Sequence, residues 1–77
     1  MPNLHFTLTG DFIELHSLLK LSGLADSGGA AKAIVAAGAV TLDGQIELRK
    51  TCKIRAGQVV LVGATRIAVH AAAEHSS

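Results

Sequence analysis

The sequence predicts an α+β fold in which two short helices pack on a small, mostly antiparallel sheet. Apolar and polar residues alternate near the start of the chain, which is typical of a strand. The leucine spacing then changes to a helical one, and an Asp-Gly pair later separates two short apolar runs. The 77 residues have room for one domain, expected at 1–70, with 71–77 as a frayed tail.

Residues 4–9 favour a half-buried strand, with leucine and phenylalanine on one face and histidine and threonine on the other. Gly and Asp at positions 10 and 11 break this strand, and Phe12 and Ile13 return briefly to extended structure. The core should be aliphatic, because the chain has only two large aromatic residues. For the same reason, stacking of bases on rings is not expected as the main mode of recognition.

A first helix is predicted from about Glu14 to Ser22, with three leucines at i, i+3 and i+4 on one face. Lys20 lies on the opposite side of this helix and points outward. Gly23 is well placed to end the helix in a left-handed conformation.

A second helix follows, with Asp26 or Ser27 as its N-cap and Lys32 facing away from the core. Gly28 and Gly29 occupy its first turn, where each glycine costs about 1 kcal/mol of helix propensity relative to alanine. Two explanations would offset that cost. Either another backbone approaches closely, or a phosphate binds the bare N–H groups.

Gly38 should end the second helix, and the rest of the chain reads as strands and turns. The pair Asp43-Gly44 favours a type I′ hairpin, whose central residues both need positive φ. A turn is expected at 56–58, and the strand after it, at 59–62, is expected to be buried. Strands are predicted at 40–42, 45–48, 59–62 and 66–69.

A basic strip, residues 49–55, carries four positive charges and no acidic residue. The other 70 residues carry three basic and six acidic side chains, so the positive charge is concentrated in one segment. Such a concentration is typical of a surface that binds nucleic-acid phosphates, although a basic run can also be a solvated loop. Ile54, within the strip, is expected in the core. The four basic residues are Arg49, Lys50, Lys53 and Arg55.

Other function classes find little support. Cys52 is the only cysteine, so no internal disulfide can form, which suits a reducing, cytoplasmic compartment. Its basic neighbours could lower the thiol pKa, or the thiol could be a partly buried structural group. The sequence has no signal peptide and no apolar run long enough for a membrane span. Four histidines match no metal-ligand spacing, and no catalytic grouping or cofactor motif is present, so no enzyme activity is expected.

The order of these features resembles the RNA-binding domain first described in ribosomal protein S4, over residues 13–62. It is most similar to the short stand-alone bacterial proteins of the YbcJ type. The resemblance rests on Gly23, Ser27, a helix holding Lys32, the run Gly38-Ala39-Val40-Thr41-Leu42-Asp43-Gly44, the basic strip, and Ile54-Arg55-Ala56-Gly57-Gln58-Val59-Val60.

The resemblance implies an RNA-binding protein, and the residues give no sign of catalytic activity. Its partner would be rRNA or tRNA, either free or on the ribosome. Nothing in the sequence indicates more than a monomer. The basic residues of the strip would contact the RNA backbone, while Lys32 and the amides of residues 27–29 would clamp a second phosphate. The expected RNA-binding residues are Lys20, Ser27, Gly28, Gly29, Lys32, Arg49, Lys50, Lys53 and Arg55.

Two departures from the family pattern bear on this expectation. Many members carry arginine after the capping serine, where this chain has Gly28, so the amides of the helix start would have to replace that side chain. Gln58 stands where an aspartate is usual, and it is expected to lie far from the strip. Two alternatives remain open. One is a protein-interaction module with an acidic partner, and the other is binding of double-stranded DNA.

Overall fold

A computed structural model describes residues 3–72 of the chain. Seven strands and two helices form within these residues, and their bounds in chain order are β1 Asn3–Thr7, β2 Ile13–Glu14, α1 Leu15–Leu21, α2 Gly28–Ala36, β3 Val40–Leu42, β4 Gln45–Ile46, β5 Lys53–Ile54, β6 Val59–Val62 and β7 Thr65–His70. Neither helix is long and apolar enough to cross a membrane, as far as residues 3–72 show.

Five strands form one sheet in the order β1-β7-β6-β3-β4. Its neighbours are antiparallel except β1 and β7, which run parallel. The other two strands, β2 and β5, pair antiparallel as a separate two-stranded ribbon. The predicted fold class, two helices with a mostly antiparallel sheet, is therefore confirmed.

The core is aliphatic, as expected, and both helices contribute to it. Three of the four leucines of α1 and the pair Ala31 and Val35 of α2 are completely buried, since these side chains share one face of each helix, whereas Leu21 is exposed. Phe6 is half-buried and packs against this core. The buried apolar side chains are Leu8, Leu15, Leu18, Leu19, Ala25, Ala31, Val35, Val40, Ile54, Val60, Ile67 and Val69.

Glycines end both helices as the sequence indicates. Gly23 and Gly38 have φ of 87° and 76°, a left-handed conformation in which a side chain is strained. Asp43 and Gly44 both have positive φ, 50° and 90°, which is the requirement of the predicted type I′ turn. Ser27, rather than Asp26, caps α2.

Several predicted bounds need correction. The first strand spans residues 3–7 instead of 4–9, although the Leu8 amide still donates to the His70 carbonyl at 2.9 Å. The partner strand expected at 45–48 ends at Ile46, although the Glu47 amide still donates to the Val40 carbonyl at 3.0 Å. Strand β6 buries only Val60 completely. Of the expected tail, Ala71 and Ala72 are exposed, and 73–77 lie outside the described residues.

Candidate nucleic-acid interface

Main-chain hydrogen bonds fix the turn of the basic strip to the start of α1. The first N–H groups of any α-helix lack partners within the helix, and Glu14, the N-cap here, provides no side-chain cap. Instead, the amides of Leu15 and His16 donate to the carbonyls of Cys52 and Lys50, at 2.9 and 3.0 Å. The strip therefore caps the helix, and its position relative to α1 is set by backbone atoms.

The ribbon of β2 and β5 sorts the strip residues between two faces. Ile13 lies opposite Ile54, and Ile54 is completely buried, as expected. Lys53 lies opposite Glu14 on the other face, because side chains alternate along a strand. Lys53 and Arg55 are both exposed, two residues apart, so both cations project from the solvent side of the ribbon.

Arg49 has an internal partner. Its Nε lies 2.9 Å from Oε2 of Glu47, and the same oxygen accepts a hydrogen bond from the Arg49 amide at 3.0 Å. These bonds lower the pKa of Glu47, and the carboxylate in turn raises the pKa of Arg49. The Arg49 side chain remains 75% exposed, but the pair has no net charge, so Arg49 adds less to the positive surface than its sequence position indicates.

Arg49, Thr51, Cys52 and Lys53 line a shallow cleft of about 380 Å³. Cys52 is half-buried there and packs against the core. Burial raises the pKa of its thiol, and the Glu47 carboxylate acts in the same direction, against the smaller effect of Arg49. The interpretation of Cys52 as a thiol with lowered pKa is therefore wrong, and the structural alternative describes it correctly.

A second cleft, of about 260 Å³, brings together Lys20 of α1 and Gly28 of α2. Its other lining residues are His16, Ser17 and Leu21. His16 is also the residue whose amide binds the Lys50 carbonyl, so this cleft adjoins the basic strip. The His16 ring is held at its Nε2, which lies 3.0 Å from Oε1 of Glu14.

The start of α2 leaves two amides open. The Ser27 hydroxyl oxygen accepts from the Ala30 amide at 3.1 Å, whereas within residues 3–72 the amides of Gly28 and Gly29 have no partner. A methyl group at position 28 would meet nothing within 4 Å, and one at 29 would meet only the Ser27 hydroxyl, at 3.9 Å. Close backbone approach is therefore the wrong explanation for these glycines. Lys32, one turn later on the face of Gly28, is exposed.

Sequence reasoning misplaced Gln58. Its Oε1 accepts from the Arg55 amide at 2.7 Å, and its Nε2 donates to the Asp43 carboxylate at 3.3 Å. Gln58 therefore supports the end of the strip, and the expectation that it lies far away is wrong. The turn predicted over 56–58 was the available signal, because a β-turn places residues 55 and 58 side by side.

Two further residues were not recognised. Phe12 lies beside Lys53 and Arg55, and Glu47 pairs with Arg49. The two-residue spacing of Glu47 and Arg49, which puts both on one side of an extended segment, was the signal for the ion pair. His5 and His70 are far apart in the sequence, yet their ring nitrogens lie 2.9 Å apart, a contact that the sequence spacing did not indicate. Within residues 3–72, no three His, Cys, Asp or Glu side chains are grouped to hold a metal ion.

Comparison with known proteins fits this arrangement. The sequence model of a family described as the S4 domain matches residues 6–70. The chain belongs to the S4 domain family. YbcJ of Escherichia coli K12 is 54% identical over 48 residues, which cover 62% of this chain and 69% of YbcJ, and YbcJ of Shigella flexneri gives the same values.

Two solved structures resemble this member of the S4 domain family. The solution structure of E. coli YbcJ, described as revealing an alfaL motif involved in RNA binding, has a TM-score of 0.68 and 43% identity, covering 86% of this chain and 85% of YbcJ. The crystal structure of 30S ribosomal protein S4e from Thermoplasma acidophilum has a TM-score of 0.54 and 24% identity, covering 73% of this chain and 29% of S4e. The second likeness concerns the fold alone.

Proposed function

We propose that this chain binds structured RNA, such as rRNA or tRNA, through one basic face and catalyses no reaction. The proposal is supported by membership of the S4 domain family and by the RNA-binding motif described for E. coli YbcJ. The basic face consists of the basic strip, the adjoining cleft between α1 and α2, and Lys32, which lies one turn after Gly28 on α2. The observation that carries the proposal is the bond between the His16 amide and the Lys50 carbonyl, which joins these two parts.

Phosphate neutralisation supplies the binding energy in this mechanism. Among the described residues, the cations of the face other than Arg49 have no carboxylate partner, so they are available to replace the counterions of RNA. These cations are Lys20, Lys32, Lys50, Lys53 and Arg55. Arg49 contributes as one half of an ion pair, which an approaching phosphate can open.

The start of α2 provides a second kind of contact. The open amides of Gly28 and Gly29 carry the positive end of the helix dipole, and Lys20 lines the same cleft as Gly28. A phosphate placed there would be held by N–H groups and by an ammonium group. Backbone contacts on a rigid face favour recognition of RNA by its shape and its 2′-hydroxyl groups, more than by base sequence.

Charge reversal tests the proposal. The Lys53→Glu/Arg55→Glu variant removes two cations of the ribbon, and its affinity for rRNA fragments and tRNA would be measured by filter binding. Arg66→Glu is the control, because Arg66 is exposed on β7, outside the basic face. We expect the double variant to lose binding and Arg66→Glu to keep it. Equal affinity of wild type and double variant for these RNAs would show that the strip is not part of the interface.

A protein partner is the second candidate, and one observation favours it. Ile46 and Leu48, next to the basic strip, are 65% and 61% exposed, which is unusual for two neighbouring apolar side chains. An acidic partner with an apolar patch would suit this surface. Copurification separates the two candidates. RNA carried through purification raises the ratio of absorbance at ~260 and ~280 nm, as nucleic-acid binding by charge predicts. A protein partner does not raise this ratio. Crosslinking in cells followed by sequencing would then identify the RNA and show whether it belongs to the ribosome.

A further inference from the structure

Phe12 is a large aromatic side chain that lies outside the buried core. It is 40% exposed and is not among the buried or partly buried side chains that make up the core. The other phenylalanine, Phe6, does pack there. Partly exposed aromatic rings are a common feature of binding surfaces.

The ribbon register places this ring between two cations. Ile13 pairs with Ile54 and Glu14 with Lys53, so continuing the ladder by one residue puts Phe12 opposite Arg55, on the solvent side. The Lys53 Nζ lies 5.0 Å from the centre of the ring, and the Arg55 Cζ lies 5.6 Å from it. A partly exposed aromatic ring and two positive charges that lie over it therefore share one small area.

We propose that Phe12, Lys53 and Arg55 form a site for one unpaired nucleotide. The base stacks on the ring in place of the Lys53 and Arg55 head groups, which swing off the ring and bind the phosphates on either side of that nucleotide. Unpaired bases in loops and bulges are available for stacking, whereas bases inside a duplex are not, so the site selects structured RNA that contains a bulge or loop. This inference rests on the proposed function and adds to it a preference for a class of RNA.

The test compares two RNA hairpins that differ only in one base. One carries a single bulged adenosine, and the other carries an abasic nucleotide at the same position, so the number of phosphates is identical. Stacking of one base on an aromatic ring changes affinity by roughly five- to hundred-fold. We therefore expect wild type to bind the adenosine hairpin more tightly by a factor in this range.

Two variants assign the preference to the ring. Phe12→Leu keeps an apolar side chain but removes the aromatic face, so it should bind both hairpins equally and as weakly as wild type binds the abasic one. Phe12→Tyr keeps the face and should keep the preference. The slope of log affinity against log salt should be the same for wild type and Phe12→Leu, because no phosphate contact is lost.

Three outcomes would overturn the inference. Wild type could bind the two hairpins equally, Phe12→Leu could retain the preference, or Phe12→Leu could weaken both complexes alike with a shallower salt slope. The last result would mean that the ring only positions Lys53 and Arg55. In all three cases RNA binding itself would persist, so the proposed function would stand, whereas absence of any RNA binding would remove both.

Discussion

Salt dependence offers a sharp test of which cations face the RNA. We consider Lys53→Gln and Arg66→Gln, which lower the net charge of the protein by the same amount. Lys53 projects from the ribbon without a carboxylate partner among residues 3–72, whereas Arg66 lies on β7, opposite Leu61 of β6 in the large sheet. If RNA binds only through the basic face, the salt dependence of RNA affinity must differ between the two variants.

The expected magnitude follows from the number of unpaired cations on the face. Each phosphate contact contributes about 0.7 to 0.9 to the slope of log affinity against log salt, so five contacts give about −3.5 to −4.5. Between 50 and 200 mM salt, wild type should then lose affinity by roughly 130- to 500-fold. The slope for Lys53→Gln should be shallower than that of wild type by about 0.7 to 0.9, whereas the slope for Arg66→Gln should equal that of wild type.

Fluorescence anisotropy with a labelled tRNA or rRNA fragment, titrated at four salt concentrations, measures these slopes. A circular dichroism spectrum for each variant confirms that the fold is intact. Equal changes of slope in Lys53→Gln and Arg66→Gln would refute the reasoning, because binding would then follow net charge and not one face of the molecule.

Three other predictions concern single side chains. Glu47→Gln releases Arg49 and should steepen the salt slope for RNA by up to about 0.9. The pKa of Glu47 is lowered in the folded state, so the ion pair with Arg49 stabilises the fold above the ordinary carboxylate pKa. This stabilisation is lost as the pH falls through the folded-state pKa of Glu47. The thermal midpoints of wild type and Glu47→Gln should therefore converge in acid. Gly29→Ala should stabilise the fold by up to about 1 kcal/mol, because alanine favours the helix and the added methyl group has space in the protein. The same methyl group covers the open amides at the start of α2, so RNA binding should weaken. Unchanged affinity for RNA would show that those amides do not bind phosphate. Thr41 has a buried hydroxyl without a partner in the described part of the chain, so Thr41→Val should raise stability by about 1 kcal/mol in thermal melts, and a loss would contradict this view.

Local signals predicted the features that depend on a single residue's backbone preference. Gly23 and Gly38 end the helices, and Asp43-Gly44 makes the hairpin, because each requires a positive φ that few other residues adopt. Helix faces were also predictable from the spacing of leucines, since burial follows the 3.6-residue period.

Contacts between distant segments could not be predicted in this way. The carbonyls of Lys50 and Cys52 cap α1 across more than thirty residues of sequence, and no side-chain pattern marks a main-chain acceptor. The bond from Gln58 to Asp43 likewise depends on how β6 meets the hairpin. The sequence therefore predicted which cations form the candidate face, but it missed Phe12 and Glu47, because the pairing and orientation of these side chains depend on tertiary structure.

Main-chain capping of α1 by the strip has a consequence for how this protein can change. Carbonyl groups make the attachment, and the side chains of Lys50 and Thr51 are exposed. The fold therefore does not depend on these two side chains. Randomising these two positions should therefore yield libraries in which nearly every clone folds. Selection on such a library could redirect the domain toward new ligands without first having to repair its stability.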